Sequence, residues 1–271
     1  MSFSINTNTS SQFAGINANK QNNALDKSLN ALSSGDKIIK AALDAAGLSI
    51  ADKLSAQVSG LGQAMMNSND SIGMLQVAEG GLQGINDNFD RIRVLTLQAS
   101  NDTLNAGDRA NIQKEIDGLL GSSNDIANQT SFNGKKLLDG SLGAFTTQAG
   151  ANSGETQTAT ISSATVGSLI GSVDVTTADG RNSALDNIDN ALKSIGENRS
   201  NIGAAQNQLM SNIRNLSVTQ VNSASAASQI QDVDFAKESA NFSQANVMSQ
   251  IGSFAQAQSN AVAGNVTRLF Q

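Results

Sequence analysis

The stretch LDNIDNALKSIGENRSNIGAAQNQLMSNIRNL, Leu185 to Leu216, decides the fold class. Leu185, Ile188, Leu192, Ile195, Arg199, Ile202, Gln206, Leu209, Ile213 and Leu216 follow one another at alternating steps of three and four, and only Arg199 and Gln206 are not aliphatic. That spacing draws one apolar stripe along a helix, in the pattern of a coiled coil. It predicts a long helix packed on partners with matching stripes. Arg199 and Gln206 are polar interruptions, read either as register-setting residues or as solvated defects in an ordinary bundle.

A second stripe supplies such a partner. Leu54, Val58, Leu61, Met65, Ser68, Ile72 and Leu75 are continued by Ala78, Leu82, Ile85, Phe89 and Ile92. Two successive steps of three between Ile72 and Ala78 predict a local phase change in the seam. A shorter stripe, Ile112, Ile116, Leu119 and Ile126, follows the turn-rich Ser100 to Gly107. Between these helices and the last one the pattern changes. Phe132-Asn133-Gly134 and Asp139-Gly140 are tight-turn signals, and brief alternation follows at Thr160-Ile161-Ser162 and Val173-Asp174-Val175-Thr176. Residues 131–180 therefore read as turns and short β-hairpins at one end of the bundle.

Composition narrows the function. The chain has 271 residues and no Pro, which removes the commonest helix breaker. His and Cys are also absent, excluding imidazole acid–base chemistry, thiol nucleophiles, disulfides and zinc sites built on those ligands. A net charge of −6 with 3% aromatic residues argues against nucleic-acid binding. No N-terminal basic region leads into an apolar run, and no window reaches the roughly 18 apolar residues of a membrane span. Walker-type, nucleophile-elbow and EF-hand motifs are missing, and Glu79-Gly80-Gly81-Leu82-Gln83-Gly84 lies inside a helical stripe, which argues against phosphate binding. Asp232 and Asp234 read as a solvated connector rather than a cation site. No enzyme, cofactor or metal is expected.

Charge is also distributed unevenly. Met1 to Asn19 and Ser239 to Thr267 contain no Asp, Glu, Lys or Arg. Solvated helix faces normally carry charge, so two uncharged helical ends read as surfaces covered by other chains. Phe13, Ile16, Leu25, Leu29 and Leu32 at one end and Val247, Ile251, Phe254 and Ala261 at the other are spaced for helix faces. Each end holds few large apolar residues for its length, and the C-terminal segment Ser239 to Thr267 is expected to be disordered in the monomer and to fold on assembly.

Read in order, several segments resemble bacterial flagellin. Ser4-Ile5-Asn6-Thr7-Asn8 is similar to the start of that family, and Leu32-Ser33-Ser34-Gly35-Asp36-Lys37-Ile38 and Asp44-Ala45-Ala46-Gly47-Leu48-Ser49-Ile50-Ala51 to two of its motifs. Gly60-Leu61-Gly62-Gln63-Ala64, Gln76-Val77-Ala78-Glu79-Gly80, Thr130-Ser131-Phe132-Asn133-Gly134-Lys135-Lys136-Leu137-Leu138 and Gln231-Asp232-Val233-Asp234-Phe235-Ala236-Lys237-Glu238 extend the match. It covers roughly residues 1–140 and 182–271.

The resemblance implies a mainly α fold: a long coiled-coil-like helical bundle with a small β-hairpin region and with N- and C-terminal helices paired. Residues 1–43 and 232–271 would form a terminal polymerisation domain, and 44–231 a helical bundle domain including a β/turn variable region at about 131–180. It implies a flagellar filament subunit that polymerises helically for motility, exported unfolded by the flagellar type III apparatus with an export chaperone. The filament cap and junction proteins would be further partners. Ile5, Phe13, Ile16, Leu25, Leu29, Leu32, Phe242, Val247, Ile251, Phe254, Val262, Val266 and Leu269 would then form the polymerisation interface. Arg91-Ile92-Arg93-Val94-Leu95-Thr96-Leu97-Gln98-Ala99 is similar to the segment used in the family for lateral packing and for the flagellin-sensing Toll-like receptor. Arg91, Leu95 and Glu115 fall at its contact positions, with Val94 where an acidic residue is common. A hook–filament junction protein and a secreted coiled-coil adhesin are the alternatives.

Overall fold

The structure, a computed structural model, describes residues 7–269, without the side chains of Val266, Thr267 and Leu269. Six helices and two strand pairs follow in the order α1 (Thr9–Ser34), α2 (Ala45–Ala99), α3 (Ala106–Gln129), β1 (Ser131–Phe132), β2 (Lys135–Lys136), β3 (Ala144–Gln148), β4 (Thr156–Thr160), α4 (Val166–Leu169), α5 (Ala178–Gln231) and α6 (Phe235–Leu269). Packing divides the chain into two compact units, Met1–Ala56 with Asn222–Gln271 and Gln57–Val221.

The helix ends are written in short polar motifs. Asn8 caps α1 by accepting from Ser11 N–H, and Gly35 closes the helix in the left-handed region at φ 80°. Asp44 accepts from Gly47 N–H at 2.8 Å at the start of α2, and a Cβ on Gly47 would collide with that carboxylate and with Ile38. Asn105 and Asp108 form a reciprocal capping box on α3. Asp234 accepts from Ala236 and Lys237 N–H at 3.1 Å and so starts α6, while Asp232 accepts from Ser228 Oγ at 2.6 Å. The connector reading of these two aspartates stands. Among the described residues no acidic, His or Cys cluster could hold a metal.

In the unit Gln57–Val221 one continuous core runs between α2, α3 and α5, with Leu75, Leu82, Ile85, Phe89, Ile116 and Ile188 among its closed side chains. Its inward rows differ from the expected stripes in a consistent way. On α5, Ile188, Ile195, Ile202, Leu209 and Leu216 are buried as expected, but the row between them is Ala184, Ala191, Asn198 and Ala205. Leu185, Leu192, Arg199, Gln206 and Ile213 stand one position outward and are half-buried. On α2 the inward residues are Leu61, Ala64, Ser68, Leu75, Ala78, Leu82, Ile85, Phe89 and Ile92, with Ser71 rather than Ile72 turned toward β3. Ala64 and Ser71 give a row with regular steps of three and four, beside Met65 and Ile72 of the expected stripe, which also pack on the core. Small residues occupy these positions because helix axes approach to about 8–10 Å only where the facing side chains are short.

Residues 131–177 lie along the helices. β1 pairs with β2 across Asn133 at φ 48° and Gly134 at φ 77°, the left-handed pair that a two-residue hairpin turn demands. β3 pairs with β4, Ala144 opposite Thr160 and Gln148 opposite Thr156. The expected alternation at Val173 to Thr176 buries both valines but forms no strand. Gln113 of α3 replaces the missing partner strand, donating to Val173 O and accepting from Val175 N–H, each at 2.8 Å. Along α5 the segment is fixed at Arg181 by Val175 O, at Asn198 by Ser162 and at Asn212 by Ala149 O. The span from Arg181 to Asn212 is about 46 Å of helix at 1.5 Å per residue.

Candidate assembly surface

In the unit Met1–Ala56 with Asn222–Gln271, α1 and α6 run antiparallel. Asn8 Nδ2 donates to Ser259 O at 3.1 Å, Ser249 Oγ donates to Asn22 Oδ1 at 2.6 Å, and Gly252 faces Ala18 so closely that an added Cβ would lie 3.3 Å from the Ala18 methyl. The seam between the helices is built mainly from small and polar residues, Ala14, Ala18, Gln21 and Ser28 on one side and Ala245, Ser249, Gly252 and Ser259 on the other, with Leu25 and Phe242 half-buried on the same rows. Beyond it, Lys37 N–H donates to Gln231 O and Val233 N–H to Gly35 O, tying the two helix-end connectors.

The large apolar side chains do not close this seam. Phe13 is 71% and Phe254 72% exposed, and Ile16, Leu29, Val247, Ile251 and Val262 are more than half exposed. Leu25, Leu32 and Phe242 are half-buried. Ile5 lies outside the described residues, as do the side chains of Val266 and Leu269. The pair thus leaves most of its large apolar side chains on the outside and is mainly small or polar within. An open groove of about 830 Å³ lies in the same unit, lined by both apolar and charged groups, including Ile38, Leu43, Lys27, Lys237 and Glu238. The Glu238 carboxyl is held below its ordinary value chiefly by hydrogen bonding from Ser28, then from Asn241, with Lys27 and Lys237 adding smaller effects in the same direction.

The other expected site lies on the second unit. Arg91 donates through Nε and Nη2 to one oxygen of Glu115, at 3.1 and 2.7 Å, and both side chains are about half exposed. Leu95 is 1% exposed and belongs to the core, which corrects its expected place as a contact: it supports this turn from beneath, and the exposed apolar residues here are Val94 and Leu97. Nearby, Arg93 Nε donates to Asp189 at 2.7 Å, which raises the Arg93 pKa and lowers that of Asp189. Sequence reasoning missed the side-chain amides of Gln113, Asn198 and Asn212. In so Asn- and Gln-rich a chain nothing local marks the few that bond to distant backbone.

A terminal helix pair that leaves most of its large apolar side chains exposed fits a subunit of a larger assembly. Residues 5–143 match the model of the bacterial flagellin N-terminal helical region and residues 185–270 that of the bacterial flagellin C-terminal helical region. The chain belongs to the bacterial flagellin family, a family of structural filament proteins rather than enzymes. It is 39% identical to a flagellin of Halalkalibacterium halodurans, over 91% of this chain and 90% of that one. It is 34% identical to the flagellar filament 31.3 kDa core protein of Treponema maltophilum, over 98% and 99% respectively. The crystal structure of Bacillus cereus flagellin, 27% identical, matches 56% of this chain and 88% of its own with a TM-score of 0.51. These relationships favour a filament subunit over a junction protein or an adhesin. Among the described residues no helix is long and apolar enough to cross a membrane.

Proposed function

We propose that this chain is the building block of an extracellular bacterial flagellar filament and that it polymerises helically through the outward apolar face of its terminal helix pair. The observation that carries the reading is the inversion of α1 and α6, small residues inside and Phe13, Ile16, Ile251 and Phe254 outside. Covering the eight exposed side chains Phe13, Ile16, Leu29, Val247, Met248, Ile251, Phe254 and Val262 yields about 10 kcal/mol, taking roughly half of the full burial value for each. Association costs roughly 4–15 kcal/mol. A single neighbour covering part of this face therefore gains little, whereas a subunit entering a filament end between several neighbours is held. Cooperative, seeded growth is the expected behaviour.

On this reading residues 1–43 and 232–271 form the polymerisation part and 44–231 the helical bundle, with about 131–180 as a short variable region. The finer partners follow from family likeness alone: type III export apparatus and chaperone, cap and junction proteins, and the flagellin-sensing Toll-like receptor reading Arg91 and Glu115. The test is seeded polymerisation of purified monomer, viewed by negative-stain electron microscopy, comparing the full chain with one ending at Ala240. Filaments from the full chain only are expected; equal assembly by the shortened chain refutes the assignment of the apolar face.

A further inference from the structure

We infer that Asn133-Gly134, the tip of the β1–β2 hairpin, is a site of spontaneous main-chain modification whose isoaspartyl product unfastens that hairpin. The inference concerns the single chain and stands apart from the filament reading. Asparagine is a chemically labile residue. Its side chain is most open to attack where glycine follows, because no Cβ shields the next backbone nitrogen. Asn133-Gly134 is the only Asn-Gly pair in the chain, and Asp117-Gly118, Asp139-Gly140 and Asp179-Gly180 are the related acid pairs.

The fold separates these four places. Gly118 lies inside α3, where the helix ladder holds its N–H. Gly180 N–H donates to Thr177 Oγ1 at 3.1 Å. Asp139 accepts from Ser141 Oγ at 2.6 Å and from Ser141 N–H at 2.9 Å, which lowers its pKa and keeps it a carboxylate, a poor target for a nucleophile. The hairpin tip has none of these protections. Asn133 and Gly134 are exposed, and among the described residues neither the Asn133 side chain nor the Gly134 N–H has a hydrogen-bond partner. Asn152, also exposed in a hairpin turn, differs in that its Nδ2 donates to Glu155 Oε1 at 2.9 Å.

The reaction needs only water. Gly134 N bonds to Asn133 Cγ and gives up its proton, the Cγ–Nδ2 bond breaks, and ammonia leaves, closing a succinimide ring. Water then opens the ring. Breaking the bond between Gly134 N and Cγ leaves an ordinary aspartyl residue, whereas breaking the bond to the main-chain carbonyl leaves an isoaspartyl link. The two products treat the turn differently. An aspartyl residue keeps the backbone length, and Asp-Gly suits the left-handed pair at φ 48° and 77° as Asn-Gly does. The isoaspartyl link routes the main chain through Cβ, and the lengthened turn no longer holds Phe132 opposite Lys135. The next bond down the hairpin runs from Leu137 N–H to Thr130 O at 3.1 Å, and Leu137 and Leu138 are closed in the core. The turn also sets the pace: ring closure requires a backbone rotation that the paired strands resist, so the reaction follows local opening of the hairpin.

The test is incubation of full-length monomer in mildly alkaline buffer, followed by intact mass and by peptide mapping with an isoaspartyl methyltransferase as the probe. The first modified residue is expected to be Asn133, in both aspartyl and isoaspartyl forms, and unfolding the chain in urea is expected to speed the reaction about tenfold or more. Hydrogen exchange then reads the peptide holding Leu137, with the two product forms resolved by chromatography. The isoaspartyl form is expected to lose protection there, while the aspartyl form and an Asn133→Asp chain exchange like the parent. Modification appearing first at Asn152 or any other asparagine overturns the site. Equal rates in the folded and unfolded chain overturn its dependence on hairpin opening, and an isoaspartyl form as protected as the parent overturns the unfastening.

Discussion

Asn198 offers the sharpest single test of how the β region is held. It is 4% exposed on an inward row of α5, its Nδ2 donates to Ser162 O at 2.8 Å, and its Oδ1 accepts from Ser162 N–H at 3.1 Å. Asn198→Ala removes both bonds and leaves both Ser162 backbone groups without their partner. At a net ~1 kcal/mol per bond, and with Ser162 near enough to solvent for partial rehydration, the loss is about 2 kcal/mol. For a unit of this size that corresponds to a fall in melting temperature of about 4–8 °C. Without Trp or Tyr the convenient probe is far-UV circular dichroism of monomer in urea, where the midpoint shifts at unchanged slope. Asn198→Asp keeps the acceptor but loses the donor and buries a carboxylate, so at neutral pH it is destabilised at least as much. An Asn198→Ala midpoint equal to the parent would refute the idea that this side chain fastens the segment to α5.

Two adjacent glycines carry opposite expectations. Gly81→Ala puts a methyl 2.7 Å from Thr130 Oγ1 and 2.8 Å from Leu138 Cδ1 and lowers stability by about 1–3 kcal/mol, whereas Gly80→Ala meets no atom within 4 Å and raises it by about 0.4–1 kcal/mol; urea midpoints decide. Glu238 is depressed in the folded pair, so its contribution is present above the ordinary glutamate pKa and disappears as pH falls through the lower folded value. Glu238→Gln should flatten the acid limb of α1–α6 stability followed by hydrogen exchange, and an unchanged limb would remove this residue from the account. Arg91→Ala breaks an exposed ion pair worth no more than ~1 kcal/mol, so the monomer melts nearly as before. Reduced signalling through the flagellin receptor at that unchanged stability supports the contact assignment, and parental signalling discards it.

The existence and order of the long helices were legible because the aliphatic rows of α5 and α2 repeat over many turns and no proline interrupts them, although α5 and α2 extend beyond those rows at both ends. The buried row through Ile188, Ile195, Ile202, Leu209 and Leu216 is the one the sequence shows most plainly. The row beside it was not, because reading by hydrophobicity prefers Leu192 to Ala191 and Ile72 to Ser71. In a tight helix pair the shorter residue faces the axis and the longer one covers the joint from the side. On α2 the row through Ala64 and Ser71 lies beside the larger Met65 and Ile72, which pack on the core from the side. Asn198 was invisible for a related reason: its role depends on Ser162, thirty-six residues away, and no local pattern distinguishes it from the chain's other asparagines.

The same rule has a larger consequence at the chain ends. Hydrophobic spacing at Phe13, Ile16, Val247, Ile251 and Phe254 correctly marks helices, yet these side chains are not buried in the folded chain. The seam that joins α1 to α6 is made mainly of Ala, Gly, Ser, Asn and Gln, with Leu25 and Phe242 half-buried on its rows, and it buries little apolar area. A helix pair of this composition is weakly held by itself, and its missing stabilisation resides in the face it leaves open. Low amide protection across α6 in dilute monomer, rising on polymerisation, is therefore the expected result of hydrogen exchange. On the proposed filament reading, a charged group within the 29 residues Ser239 to Thr267 would be desolvated once neighbouring chains cover them, which accounts for the lack of charge there. On that proposed reading, pattern and burial disagree in the single chain because the environment that the pattern describes is the assembled one.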